Sequence, residues 1–167
     1  MFEPKPFQKE TIRKLAGFLE AARFDGPRAA FESLPKEVPS EWRKPYVPLD
    51  KLAETPYVCL RLPTGGGKTF LAAGAVKVGA TFLERENNPL VLWLMPTDAI
   101  RQQTLETLLN PKHPNREQLN TDFDGKLRIV DIADFSLLTP QDLRDKACIV
   151  VGTFAAPRVE KTEGRKV

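Results

Sequence analysis

A chain of 167 residues with 41% hydrophobic and 28% charged residues is long enough for one domain with a real core, and its composition excludes a disordered or fibrous protein. Lys and Arg number 25 against 22 Asp and Glu, a formal net charge of +3, so global charge decides nothing about nucleic acid and any such binding has to come from a local arrangement. The N-terminus lacks the apolar core of a signal peptide, no run approaches the roughly 20 apolar residues of a membrane span, and the cysteines Cys59 and Cys148 sit in apolar, strand-like runs and not in a disulfide framework. The expected setting is the cytoplasm.

Pro6 at a helix start, then Ile12, Leu15, Ala16, Leu19 and Ala22 at three- and four-residue spacing, predicts an amphipathic helix over residues 7–22. Phe7 and Gln8 occupy its first turn, where a glutamine taken alone is a solvated surface amide. Residues 23–56 hold six prolines, with Trp42 and Tyr46, and no sustained period. They read as an irregular, proline-stiffened connection with a short helix over Pro27 to Leu34, the alternative being a lid near a nucleotide or a docking surface.

Tyr57 to Leu62 predicts a buried strand. It leads into Arg61-Leu62-Pro63-Thr64-Gly65-Gly66-Gly67-Lys68-Thr69, which opens an apolar helix. Successive glycines let a backbone turn tightly with its N–H groups aimed at an anion and no Cβ in the way. The helix start adds a partial positive charge, Lys68 can reach the β- and γ-phosphates, and the Thr69 hydroxyl can ligate the Mg²⁺ of a nucleoside triphosphate. The bland alternative is a glycine-rich turn followed by an incidental Lys-Thr. The pattern also departs from G-x-x-x-x-G-K-[ST], since Leu62 stands where its first glycine would be.

The following helix is apolar nearly all round from Phe70 to Phe82, which predicts cover on most sides. Asn87-Asn88-Pro89 makes a turn, and Leu90 to Met95 predicts a second strand buried on both faces. Strand, helix and strand of this length predict a parallel pair with a right-handed crossover. Pro96-Thr97-Asp98 then starts a helix, with Thr97 or Asp98 as its cap, packed through Ile100, Leu105, Leu108 and Leu109. His113, the only histidine, reads as an exposed loop residue. Leu127 to Ile132 predicts a third strand, Thr139-Pro140 caps a short helix over Gln141 to Arg144, and Ala147 to Val151 is a fourth strand running into Gly152-Thr153-Phe154. The expected fold is α/β, a mostly parallel sheet flanked by helices, divided into a helix at 1–22, the irregular stretch at 23–56 and a core at 57–167.

Pro63-Thr64-Gly65-Gly66-Gly67-Lys68-Thr69, without the leading glycine, resembles motif I of superfamily 2 helicases and translocases, which implies a RecA-like P-loop NTPase that uses ATP and Mg²⁺. Gln8, with Phe7 beside it, then resembles the Q motif, whose glutamine reads the adenine edge with one donor and one acceptor. In the branch related to type III restriction subunits that segment looks like Leu-Arg-x-aromatic-Gln, and here Pro4 and Lys5 replace the Leu and Arg. Pro96-Thr97 with its helix resembles motif Ia, and Gly152-Thr153 after a strand resembles motif Ib. The resemblance implies that Pro96, Thr97, Arg101, Gln103 and Thr153 grip the sugar-phosphate backbone of nucleic acid, DNA in preference to RNA. Without it, Thr97 and Thr153 read as strand ends followed by helix N-caps.

Hydrolysis by this fold needs an acid to hold Mg²⁺ and a carboxylate to orient water, normally a strand ending in Asp-Glu. Ile129-Val130-Asp131 has the acid, but Ile132 occupies the place of the Glu. The expectation is therefore the N-terminal portion of a first RecA-like motor domain, itself not hydrolytic, with motif II and the second motor domain downstream. The competing readings are a P-loop switch or scaffold without motor activity and a small-molecule kinase, for which no arginine cluster is evident.

Overall fold

The computed structural model describes residues 3–34 and 44–154. Trp42 lies outside them. The chain divides into two compact units, Met1–Glu86 and Asn87–Val167.

The first unit is helical. Helix α1 spans Pro6–Asp25, α2 Pro27–Ser33 and α3 Lys68–Val78, the last continuing as a π-helical turn over Gly79–Glu84. Pro6 and Pro27 each occupy the first turn of their helix, where a missing N–H costs nothing and φ is already set. The expected period of α1 is seen in its buried stripe, Leu15, Phe18, Leu19 and Ala22, which packs with Ala30, Tyr46 and Val78. Phe31 lies edge-on to Phe18 and tilted against Tyr46. The Tyr46 hydroxyl accepts from the Tyr57 N–H at 3.0 Å and donates to the Thr55 carbonyl at 3.4 Å. Part of the proline-rich stretch is thus core and not mere connection.

The strand expected over Tyr57 to Leu62 is not formed: these residues lie in no regular element, and Tyr57, Cys59, Leu60 and Arg61 are exposed. A strand exists only against a partner, and its own unit offers helices, onto which Val58 alone of that run packs. The parallel pair expected of this segment thus lacks its first strand, and Cys59 is an exposed free thiol while Cys148 is buried.

The second unit carries a parallel sheet of order β1-β3-β2, with β1 at Leu90–Met95, β2 at Leu127–Asp131 and β3 at Ala147–Thr153. The central strand β3 is buried from Ala147 to Gly152, as an apolar run flanked on both sides has to be. Edge strand β1 departs from expectation, because Leu90 and Leu92 are 56% and 55% exposed and only one of its faces is covered. Helix α4 (Asp98–Leu109) packs on all three strands, followed by α5 (Pro114–Asp122), a 3₁₀ turn (Ile132–Leu137) and α6 (Pro140–Asp145).

Two local expectations shift. The buried stripe of α4 runs through Thr104 and Leu108, with Arg101 half-buried in line with them, while Ile100 and Leu109 face outward at 41% and 54%. His113 is half-buried and caps α5, its Nδ1 accepting from the Asn115 N–H at 3.2 Å. Pro114 at the first helical position was the signal for that helix. The short α6 is as expected, with Thr139 as cap; the Lys146 ammonium and Thr139 hold the Asp142 carboxyl down to about 2. Among the described residues no helix is long and apolar enough to cross a membrane.

Candidate nucleotide site and nucleic-acid edge

Residues Pro63 to Gly67 form a tight loop directly before α3. Gly65 and Gly67 have φ of +74° and +76°, a left-handed conformation that L side chains avoid, and Gly67 is the residue from which α3 starts. Gly66 is required for a different reason, since a Cβ there would meet the Pro63 carbonyl oxygen at 2.9 Å. The loop closes on itself through the Gly66 N–H, donated to the Pro63 carbonyl at 3.0 Å. The same carbonyl receives the Lys68 ammonium at 3.1 Å, and Lys68 is exposed. Thr64 is exposed and Thr69, in the first turn of α3, half-buried. Glycines that a Cβ would crowd, a helix N-terminus and a Lys-Thr pair are the donor set that polyphosphate and its divalent ion require. Lys68 and the loop amides fit the phosphates, and Thr69 fits Mg²⁺.

Gln8 is bound to this loop. It is 3% exposed, accepts the Lys5 N–H at 2.9 Å through Oε1, and donates through Nε2 to the Gly66 carbonyl at 3.0 Å. It is thus neither a solvated surface amide nor wholly used up. A primary amide has two N–H donors and two lone pairs, which leaves one of each. Phe7 beside it is 41% exposed.

In the second unit, Met95 of β1 and Thr153 of β3 are direct partners in the register, and the Phe154 N–H donates to the Met95 carbonyl at 3.2 Å. Thr97, two residues past Met95, and Thr153 therefore lie at the same end of adjacent strands. Pro96, Thr97 and Gln103 are exposed, and Thr153 is half-buried. Thr97 is the N-cap of α4, its hydroxyl accepting from the Ile100 N–H at 3.4 Å, so the structural role expected of it without any ligand is fulfilled. The residues after Phe154 lie outside the described ones, so a cap role for Thr153 does too.

Arg101 is paired with two carboxylates. Its Nε and Nη2 donate to Asp98 Oδ1 at 2.8 and 2.7 Å, and its Nη1 to Asp131 Oδ2. The other Asp131 oxygen caps the 3₁₀ turn by accepting the Ala133 N–H at 3.0 Å. Asp131, at the end of β2, thus holds an arginine and a turn. Thirty residues separate it from Arg101, and no local pattern announces such a pair; the only clue was that Arg101 stands three and seven residues before the buried Thr104 and Leu108.

The glycine loop opening a helix and the parallel sheet flanked by helices define an α/β P-loop protein of RecA-like fold. The chain belongs to the family described as type III restriction enzyme, res subunit, whose model matches residues 1–162, and so is a superfamily 2 helicase-like ATPase domain. No curated protein and no solved structure gives a significant match. The family makes it a nucleotide-binding module of ATPase and helicase type, in a family that uses ATP and Mg²⁺ in general.

Proposed function

We propose that this chain binds Mg·ATP on the loop Pro63 to Thr69 with the base at Gln8 and Phe7, and serves a nucleic-acid-dependent helicase or translocase, acting in the cytoplasm on DNA in preference to RNA. The observation that carries this is the hydrogen bond between Gln8 and the Gly66 carbonyl, which ties a base-reading amide to a phosphate cradle. Bound triphosphate replaces the neutral Pro63 carbonyl as the partner of Lys68, a stronger, charge-assisted contact. Thr69 takes the metal ion, which when bound supplies charge neutralisation at the phosphates. Pro96, Thr97, Gln103 and Thr153, with Arg101 behind them, form one edge of a sugar-phosphate track.

Titration with a fluorescent ATP analogue in Mg²⁺, competed by unlabelled ATP and GTP, tests the nucleotide half. ATP is expected to compete better. Gln8→Ala is expected to remove most of the difference, since guanine mismatches the one donor and one acceptor the amide has left, at a cost of about 1–3 kcal/mol. Equal competition by both nucleotides in the unmutated chain would rule out Gln8 as the base reader.

Track contacts to phosphate carry no sequence information, so single-strand affinity is expected to be nearly indifferent to sequence. Changing both Thr97 and Thr153 to Ala is expected to weaken it by about 1–3 kcal/mol, the sum of two modest hydrogen bonds, with ATP binding retained. Thr97→Ala also uncaps α4, at about 1 kcal/mol. Thr97→Ser keeps the hydroxyl and should bind as the unmutated chain does. Normal binding by the double Ala variant would return both residues to purely structural roles.

A further inference from the structure

The groups nearest the proposed track carry an unexpected charge balance. One guanidinium, Arg101, is shared by two carboxylates, Asp98 and Asp131, with Arg101 16% and Asp131 20% exposed. Asp98 follows Thr97 directly, and its second oxygen accepts Gln102 Nε2 at 3.0 Å, so it is held from both sides. Asp131 ends β2 and fixes the turn that follows. The trio therefore joins the first turn of α4, directly after the Thr97 cap, to the end of β2. Its net charge is negative, although it contains the cation that a phosphate would need.

We propose that Asp98, Arg101 and Asp131 form a strut that positions the Thr97 loop and at the same time withholds the Arg101 charge from nucleic acid, setting a ceiling on how tightly the track holds a strand. This rests on the track reading above. Arg101 is a positioning residue: it acts through the loop that it ties down. Three of the five N–H groups of this half-buried guanidinium are on carboxylates, and two carboxylates offset its single charge, so little of that charge is left for a phosphate. A motor that has to release and re-grip its strand is served by a track that holds weakly.

The test uses Asp131→Asn, Arg101→Gln and the two combined, read by the salt dependence of binding to labelled oligothymidine and by hydrogen exchange at the Ile100 and Ala133 amides. Asp131→Asn keeps an acceptor for the Ala133 N–H but drops one of the two charges that offset Arg101. It is expected to bind several-fold more tightly, with the slope of log K against log salt steeper by roughly 0.7, one further phosphate neutralised on a single strand. Adding Arg101→Gln should abolish that gain. Arg101→Gln alone should leave the slope as in the unmutated chain while both amides exchange at least tenfold faster.

A slope flattened by roughly 0.7 in Arg101→Gln alone would overturn the proposal, because Arg101 would then already neutralise a phosphate. So would unchanged affinity and slope in Asp131→Asn. If the unmutated chain bound no strand at all, the track reading and the ceiling would both fall. Exchange at Ile100 and Ala133 in Arg101→Gln would then decide the strut by itself, faster exchange upholding it and unchanged exchange removing it.

Discussion

Lys68→Ala is expected to weaken Mg·ATP binding by about 3 kcal/mol, roughly a hundredfold in Kd, with no change in helix content. The loss is that of a charge-assisted contact to phosphate. The fold should be spared because Lys68 is exposed and its hydrogen bond goes to the Pro63 carbonyl, which keeps the Gly66 N–H as a donor. Steady-state hydrolysis should be low with or without the substitution, since these 167 residues contain no Asp-Glu pair to hold Mg²⁺ and orient water. Calorimetric titration and a phosphate-release assay check the two halves. Robust hydrolysis lost in Lys68→Ala would show that the chain carries its own hydrolytic carboxylate and would return attention to Asp131.

Gly67→Ala should cost the folded state about 2–5 kcal/mol, the sum of a left-handed backbone forced on alanine and a buried amide stripped of a partner. Its φ is +76°, and its new Cβ would lie 2.5 Å from Gln8 Nε2, so the Gln8–Gly66 bond could not survive in place. Gly65→Ala is the matched control: its φ is +74°, but nothing lies within 4 Å of a Cβ there. Backbone strain alone, about 1–2 kcal/mol, is expected in that variant. Thermal unfolding should therefore show Gly67→Ala falling clearly below Gly65→Ala. Equal melting of the two would mean that the Gln8 contact contributes nothing to stability.

What was legible in the sequence was local. The glycine loop, the Lys-Thr after it and the helix that follows are adjacent in the chain, and adjacency is what a residue pattern records. The period of α1, the cap Thr97, the capped α6 and the strands β2 and β3 were readable for the same reason. Tyr57 to Leu62 was not, because a strand is a relation between two segments and an apolar run does not say whether its partner is present. The packing face of α4 was misread because Ile100 and Leu109 are greasier than Arg101, yet the guanidinium lies in the buried row once Asp131, from the end of another strand, gives it a partner. Gln8 shows the same limit. Its place in the chain pointed to a base, whereas its bond to Gly66, 58 residues away, could be learned only from the fold.

That bond has a thermodynamic corollary. The Gln8 amide touches the loop backbone at Gly66, next to the glycine on which α3 begins. Any base that draws the amide toward itself alters the free energy of the loop that grips phosphate, and linkage makes the effect reciprocal. The two ends of a nucleotide are then not recognised independently. A free nucleoside bound at Gln8 would change the affinity of the loop for inorganic triphosphate bound beside it, by a factor that depends on the base, and discrimination among nucleotides would appear as a coupling energy and not as the strength of one contact.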